Sequence, residues 1–417
     1  MSNTVPEGWA IHPLDDKVDI LSGFPFKSSL FCDDPSKMGI IRIRDLVKQS
    51  VETFYSGDFD DAYVIRKGDI LIGMDGDFNI VKWKTKNALL NQRICKVKAS
   101  KSGGFDSDFL FYSLVDDLDS IHAATGATTV KHLSVKDIKG IEKSYPPLPE
   151  QEKIAAILSS VDEVIEKTLA QIDKLKDLKT GMMQELLTKG IGQGGVPHTE
   201  FKDSPVGQIP LSWGVVPLIN VVSKIVDCEH KTAPYVDSSE YLVVRTSNVR
   251  SGQLIQEDMK FTTKDGFEQW TQRALPTEGD VLFTREAPAG ESCMVPTGLK
   301  VCMGQRMVLL RPNKEKIYPC FFSLFLISEA AQQAIYELSI GTTVSRINIE
   351  DIKRIPCLVP PLGEQVEIYS SVQAIQTLIT VKEQMLESTK SNKKALMQDL
   401  LTGKVRVNVE ARELAEA

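Results

Sequence analysis

Asp75, Asp77 and Lys82 form an acid–acid–lysine set of the kind nucleases turn on a phosphodiester. Two aspartates in a turn between strands are the simpler reading of that stretch. Gly103-Gly104 and Gly192-Gln193-Gly194-Gly195 do not follow a strand and open a helix, so neither makes a phosphate loop. No G-x-x-x-x-G-K-S/T run occurs, and the serines and histidines lack a triad-like pattern. The 5 histidines show neither H-x-x-x-H nor H-E-x-x-H spacing, and the 7 cysteines form no C-x-x-C pair. The expectation is no metal site, no bound cofactor and reduced, buried thiols.

The basic residues suit a polyanion better. Val81 to Lys101 carries Lys82, Lys84, Lys86, Arg93, Lys96, Lys98 and Lys101 without an acid, with Trp83 interleaved. On a strand, Lys82, Lys84 and Lys86 would share one face. A second patch holds Lys300, Arg306, Arg311, Lys314 and Lys316 against Glu315. The patches surround matched pairs, Gln92-Arg93 and Gln305-Arg306, which favours salt-dependent phosphate contact over an ordinary solvated face. Arg42, Arg44, Arg245, Asn248 and Arg250 lie at expected strand ends. There they would either read base edges in a major groove or form structural ion pairs. Lys131 and Arg346, each following a Thr-Thr-Val segment, are candidate phosphate clamps. The formal net charge of −7 opposes nucleic-acid binding only as a whole-chain sum, because DNA feels the local field.

The elements that position these residues occur twice. Tyr145-Pro-Pro-Leu-Pro-Glu-Gln-Glu152 returns as Val359-Pro-Pro-Leu-Gly-Glu-Gln-Val366, at an offset of 214. The same offset relates Thr128-Thr-Val130 with Asp137-Ile138 to Thr342-Thr-Val344 with Asp351-Ile352, and Met183–Thr188 to Met397–Thr402. Upstream the register drifts, with Gly8-Trp9 answering Ser212-Trp213. The Pro-Pro pairs lack the acid or amide and the aromatic of the amino-methyltransferase motif, and serve as punctuation before a helix. Ile154, Leu158, Val161, Ile165, Thr168, Ile172, Leu175, Lys179, Met182 and Leu186 step by 4 and 3, a heptad seam. Ile368, Val372, Ile375, Ile379, Lys382, Leu386, Thr389, Lys393, Leu396 and Leu400 repeat it. Each helix of about 38 residues would extend roughly 57 Å, and the natural partner for its stripe is its repeat copy, antiparallel.

The expected architecture is α+β with an internal pseudo-two-fold repeat. Two mixed α/β recognition domains, 1–145 and 213–358, are each followed by a spacer helix, 146–189 and 359–403, with the helices forming an antiparallel coiled coil. A Gly- and Pro-rich linker occupies 190–212 and a tail 404–417. Within the domains, Tyr63–Ile72 and Tyr241–Arg245 read as strands, and Asp108–Asp116 and Cys320–Glu337 as helices. Hydrophobic residues at 42% and charged ones at 25% fit a globular chain. Met1–Pro6 does not open a secretory signal and no apolar run spans a bilayer, so a soluble, cytoplasmic protein without membrane contact is expected.

Together, the paired Pro-Pro-Leu-x-Glu-Gln motifs, the long helices, the Leu-Leu-Thr ends and the Thr-Thr-Val loops resemble the specificity subunits of type I restriction–modification systems. The resemblance runs from Trp9 to about Val407. It implies a non-catalytic subunit whose two target-recognition domains each read half of an interrupted site in double-stranded DNA. The coiled coil would set the spacing and dock two methyltransferase subunits, joined by restriction/translocase subunits. AdoMet, ATP and magnesium would belong to those partners. Gly363 in place of Pro149, and Lys382 and Lys393 in the second seam, depart from strict symmetry. The competing readings are a self-sufficient DNA methyltransferase or nuclease with fused recognition modules, and a coiled-coil scaffold that ignores DNA.

Overall fold

A computed structural model describes residues 5–101, 103–126, 130–341 and 345–409. The chain divides into two compact units, residues 1–169 with 384–417, and residues 170–383. Each unit contains one module, the first half of the helix that follows it, and the second half of the other long helix.

In the first unit, Val18–Ser22, Ile94–Ala99, Ile70–Gly73 and Ile80–Lys82 form an antiparallel sheet in that order. A second sheet is ordered Phe31–Cys32, Phe54–Tyr55, Met38–Ile41, Ala88–Leu90, Val64–Ile65, with a parallel pairing of Met38–Ile41 to Ala88–Leu90. The second unit repeats this plan. Val222–Asp227, Met307–Pro312, Val281–Thr284 and Ser292–Met294 make the antiparallel sheet, and Tyr241–Val244 runs parallel to Lys300–Met303 in the other. Ile70–Gly73 and Val281–Thr284 are buried throughout, which suits their near-continuous apolar sequence. A ribbon leads into each long helix, pairing Ala10 with Tyr145 in one unit and Gly214 with Val359 in the other.

Local chemistry explains where the expected elements divide. Tyr63–Ile72 is two strands because Arg66–Asp69 turns, with Gly68 at φ 96° and the Arg66 N–H donating to Asp69 Oδ2 at 2.8 Å. Cys320–Glu337 is two helices, Pro319–Leu326 and Glu329–Leu338. Ser328 caps the second, its hydroxyl accepting from Ala331 N at 3.3 Å. The expected helix at Asp108–Asp116 lies within Ser107–Ala124. Between the repeats, residues 190–212 contain a short ribbon, Phe201–Lys202 against Ile209–Pro210.

The long helices are Leu148–Thr188 and Leu362–Leu401. In the first unit Ile154, Leu158 and Leu400 join Phe109, Leu110, Leu114 and Leu118 in one core. In the second, Leu187, Ile368 and Val372 join Phe321, Phe322 and Phe325. Ile172, Ile375, Ile379 and Leu386 are also buried, and Val161, Ile165, Leu175 and Leu396 are half-buried, as a seam requires. Polar pairs show the antiparallel sense inside the second unit, where Lys176 meets Glu383 at 2.9 Å and Lys179 meets Gln376 at 2.7 Å. In the first unit Lys393 meets Asp162 at 2.6 Å. Among the described residues, no helix is long and apolar enough to cross a membrane.

Candidate nucleic-acid interface

Each module is held on its helix by the Glu-Gln pair that the repeat motif carries. Gln151 donates to Pro146 O at 2.9 Å and accepts from Asp106 N at 3.0 Å, fixing the start of helix Ser107–Ala124. Gln365 does the same with Pro360 O at 2.8 Å and Tyr318 N at 2.7 Å. Glu150 accepts from the Trp9 indole at 3.1 Å and from Arg406 at 2.7 and 2.8 Å. Glu364 accepts from the Trp213 indole at 2.9 Å, from Ile191 N and Gly192 N at 3.0 Å, and pairs with His198 at 2.9 Å. Burial raises the Glu364 pKa, but the donors at Gly192, His198, Trp213 and Ile191 outweigh it and hold the carboxyl below its ordinary range. Neither acid is among the site residues singled out in the sequence, where their recurrence with Trp9 and Trp213 in both repeats is the available signal.

On this scaffold, three segments meet in the same way in each module. In the first, Met74 N donates to Arg93 O at 2.8 Å and Leu133 N to Met74 O at 2.8 Å. In the second, Arg285 N donates to Arg306 O at 2.8 Å and Ile347 N to Arg285 O at 2.9 Å. The residue after Met74 is Asp75, whose carboxylate takes the Arg93 guanidinium and, at 2.6 Å, His132 Nδ1. The residue after Arg285 is Glu286, which lies 3.3 Å from Arg306 Nε and 3.3 Å from Arg346 Nε. Burial raises the Asp75 pKa, yet the His132 and Arg93 contacts bring it below the ordinary carboxylate value. The basic members face solvent, with Arg93, His132, Arg306 and Arg346 exposed by 65, 67, 54 and 56%. Arg93 and Arg306 share a left-handed backbone, φ 70° and 68°, a conformation that costs a non-glycine residue on the order of 1 kcal/mol.

The other expected contact residues fare differently. The strand at Ile80–Lys82 ends before Lys84 and the chain bends at Thr85–Lys86, where the buried Trp83 indole donates to Lys86 O at 2.8 Å. The three lysines therefore do not share a strand face. Lys82 pairs with Asp108 at 2.6 Å, Lys84 pairs with Glu166, and Lys86 is exposed. Lys82 thus points away from any acid–acid–lysine set with Asp75 and Asp77. Asn248 is buried completely, and its amide donates to Ile255 O and Glu257 O at 3.1 Å, so it cannot reach a base. Arg245 donates to Asp258 O at 2.7 Å and Arg42 to Thr53 Oγ1 at 3.1 Å, both as local braces. Arg44 lies near Asp45 and Glu52, while Arg250 is exposed. The Lys131 ammonium bonds His122 O. Of the Thr-Thr-Val segments, Thr128, Thr129 and 342–344 lie outside the described residues.

Among the described residues one trio has metal-ligand chemistry, Asp227, Cys228 and His230. Arg285 already donates to both Asp227 oxygens at 2.9 and 2.7 Å, placing a positive charge where a cation would sit. Cys95, Cys293 and Cys302 are buried, which pushes their thiols up to about 12.

Comparison with known proteins matches this architecture. The type I restriction modification DNA specificity domain matches twice, over residues 6–176 and 222–390. The chain is 26% identical to the EcoBI specificity subunit of Escherichia coli, covering 99% of this chain and 89% of that one. It is 27% identical to the MjaVIII specificity subunit of Methanocaldococcus jannaschii, covering 97% and 94%. In fold it is similar to the S subunit of a type I restriction–modification system from M. genitalium, with TM-score 0.57, 15% identity and 98% of each chain covered. A second solved chain, from work on complex assembly and conformational transition of the type I R-M system, gives TM-score 0.53 at 16% identity over 96% of this chain and 100% of that one. With the specificity domain present in both repeats, the chain belongs to the family of type I restriction–modification specificity subunits.

Proposed function

We propose that this chain is the non-catalytic DNA-reading subunit of a type I complex, with each module recognising one half of a bipartite duplex site. The duplicated acid-centred pair of exposed basic side chains carries the reading, because two modules of divergent sequence keep it at the same backbone junction. Arg93 and Arg306 reach solvent from those junctions, as phosphate contacts require. The long helices are the docking surface for the methyltransferase subunits. Val164 and Leu169 in the first unit, and Leu178, Leu378 and Val381 in the second, are exposed apolar side chains on those helices. AdoMet, ATP and magnesium chemistry belongs to the methyltransferase and restriction/translocase partners.

The test compares genomic adenine methylation with and without this gene. The expected result is loss of one bipartite motif, and exchanging residues 1–145 for another recognition module changes one half of it only. Purified chain that methylates or cleaves DNA unaided would overturn the reading in favour of a self-sufficient enzyme. At the level of residues, R93A should lower the salt slope of duplex binding by about 1. K84A, whose ammonium is held by Glu166, should leave the slope unchanged.

A further inference from the structure

The basic pair differs between the modules in one respect. Its second member is His132 in the first and Arg346 in the second, both forming an isolated bridge to the central acid residue. We propose that Asp75 and Glu286 are positioning residues that present their basic pairs to DNA phosphate. On this assignment each acid holds two basic groups together, Arg93 with His132 in the first module and Arg306 with Arg346 in the second. The inference rests on the DNA-reading function proposed above.

The geometry supplies the reasons. An acid at a DNA-facing surface repels phosphate, so its presence in both modules needs a compensating role. Asp75 is 9% exposed and Glu286 23%, so each lies beneath its basic partners and not in front of them. Held from below, the basic groups are kept together despite the long, flexible arginine stems, which lowers the ordering cost on binding. In the second module both arginines face Glu286 through Nε, one to each carboxylate oxygen.

The modules differ in the second basic group. Arg306 and Arg346 set two guanidinium groups against Glu286, whereas Arg93 shares Asp75 with the imidazole of His132. Asp75 is ionised near neutral pH, since its pKa is held low. The groups around His132 are Asp75 and Arg93, neighbouring Lys131, whose ammonium is turned to His122 O, and Asp137 on the short helix Val135–Lys139. Near Arg346 the groups are Glu286 and Arg306, while neighbouring Arg285 is turned to Asp227, which also holds His230.

The experiment measures binding of the full chain, assembled with its methyltransferase, to a mixed-sequence duplex at pH 8 over a salt series. R346Q removes one guanidinium of the second pair and should weaken binding on the order of 3- to 10-fold, with a salt slope shallower by about 0.9. D75N supplies the opposite-sign check, with melting temperature recorded alongside. Deleting a negative charge should by field alone strengthen binding, whereas loss of positioning weakens it several-fold. E286Q makes the same check in the second module if D75N unfolds the first. Steeply salt-dependent binding that ignores R346Q, or that strengthens in D75N and E286Q, overturns this inference and leaves the DNA-reading function standing. Absence of duplex binding overturns both.

Discussion

Replacing Glu364 by glutamine changes one oxygen for an amide and should loosen the second unit by about 2–4 kcal/mol. The carboxylate is buried, with Oε1 facing Ile191 N, Gly192 N and His198, and Oε2 facing the Trp213 indole. Glutamine offers an acceptor on one side only. In its better orientation the amide nitrogen meets the Trp213 N–H, leaving that donor unpaired at a cost of about 1–3 kcal/mol. The remaining bonds lose their ionic character and roughly half their strength. Burying a neutral amide instead of a carboxylate returns part of this through desolvation.

Glu150 provides an internal standard. Its donors are the Trp9 indole and Arg406, and the arginine side chain is 43% exposed, so its pairing is screened by water. E150Q should therefore cost about 1–2 kcal/mol, less than E364Q. Hydrogen exchange measured by mass spectrometry separates the two, which is needed because a chain of two units need not unfold in one step. In E364Q the amides of Ile191 and Gly192 should exchange roughly 30- to 900-fold faster, the range equivalent to 2–4 kcal/mol. Acid should act likewise on wild type. The Glu364 pKa lies below its ordinary 4.5 in the folded chain, so its contribution is complete above that value and lost as pH falls through the lower folded one. Unchanged exchange at 191–192 in E364Q, or an equal loss in E150Q, would refute this account of the clasp.

Other changes have defined outcomes. Burial lowers the Lys179 pKa, and its partner is the neutral Gln376, whereas the equivalent Lys393 has Asp162. Q376E should stabilise the second unit by roughly 0.5–1 kcal/mol after solvent screening, read as a higher melting temperature. At Gly190 and Gly403, φ is near 70°, and an added Cβ would meet Glu364 Oε1 at 2.4 Å or Pro6 Cγ at 2.5 Å. G190A and G403A should each cost about 2 kcal/mol or more in urea unfolding. With thiol-reactive reagent at pH 8, the half-buried Cys32 and Cys320 should label before Cys95, Cys293 and Cys302.

The repeat, the long helices and their seam were legible because periodicity records a buried stripe directly. Ile154 and Leu158, and their counterparts Ile368 and Val372, are buried where spacing put them. The interface was legible only in part, because residue type does not state direction. Asn248 has the chemistry to read adenine, yet its side chain turns inward to two carbonyl groups. Lys82, Lys84 and Lys86 alternate perfectly, but the strand ends at Lys82 and the chain bends at Thr85–Lys86. The Asp75 centre escaped notice for another reason. Its partners Arg93 and His132 are distant in sequence, and the Met74 N–Arg93 O and Leu133 N–Met74 O hydrogen bonds bring them to one carboxylate.

The two clasps also show why neither repeat is structurally self-sufficient. Each glutamate stands at the start of one long helix, but chain that follows the other helix completes its set of donors. Ile191, Gly192 and His198 do this for Glu364, and Arg406 for Glu150. Arg406 also donates to Glu7 O and lies over the Trp9 ring, 5.9 Å from its centroid, so it braces the chain where the first module begins. R406A should therefore speed exchange around Trp9 and residues 146–151 by roughly 5- to 30-fold, equivalent to about 1–2 kcal/mol. It should leave the Ile191 and Gly192 amides unaffected, because their acceptor belongs to the other clasp. R406K retains the charge without the two-pronged geometry and should recover only part of the loss. If R406A leaves Trp9 and residues 146–151 fully protected, the first clasp depends on the indole alone and the parallel between the two units fails.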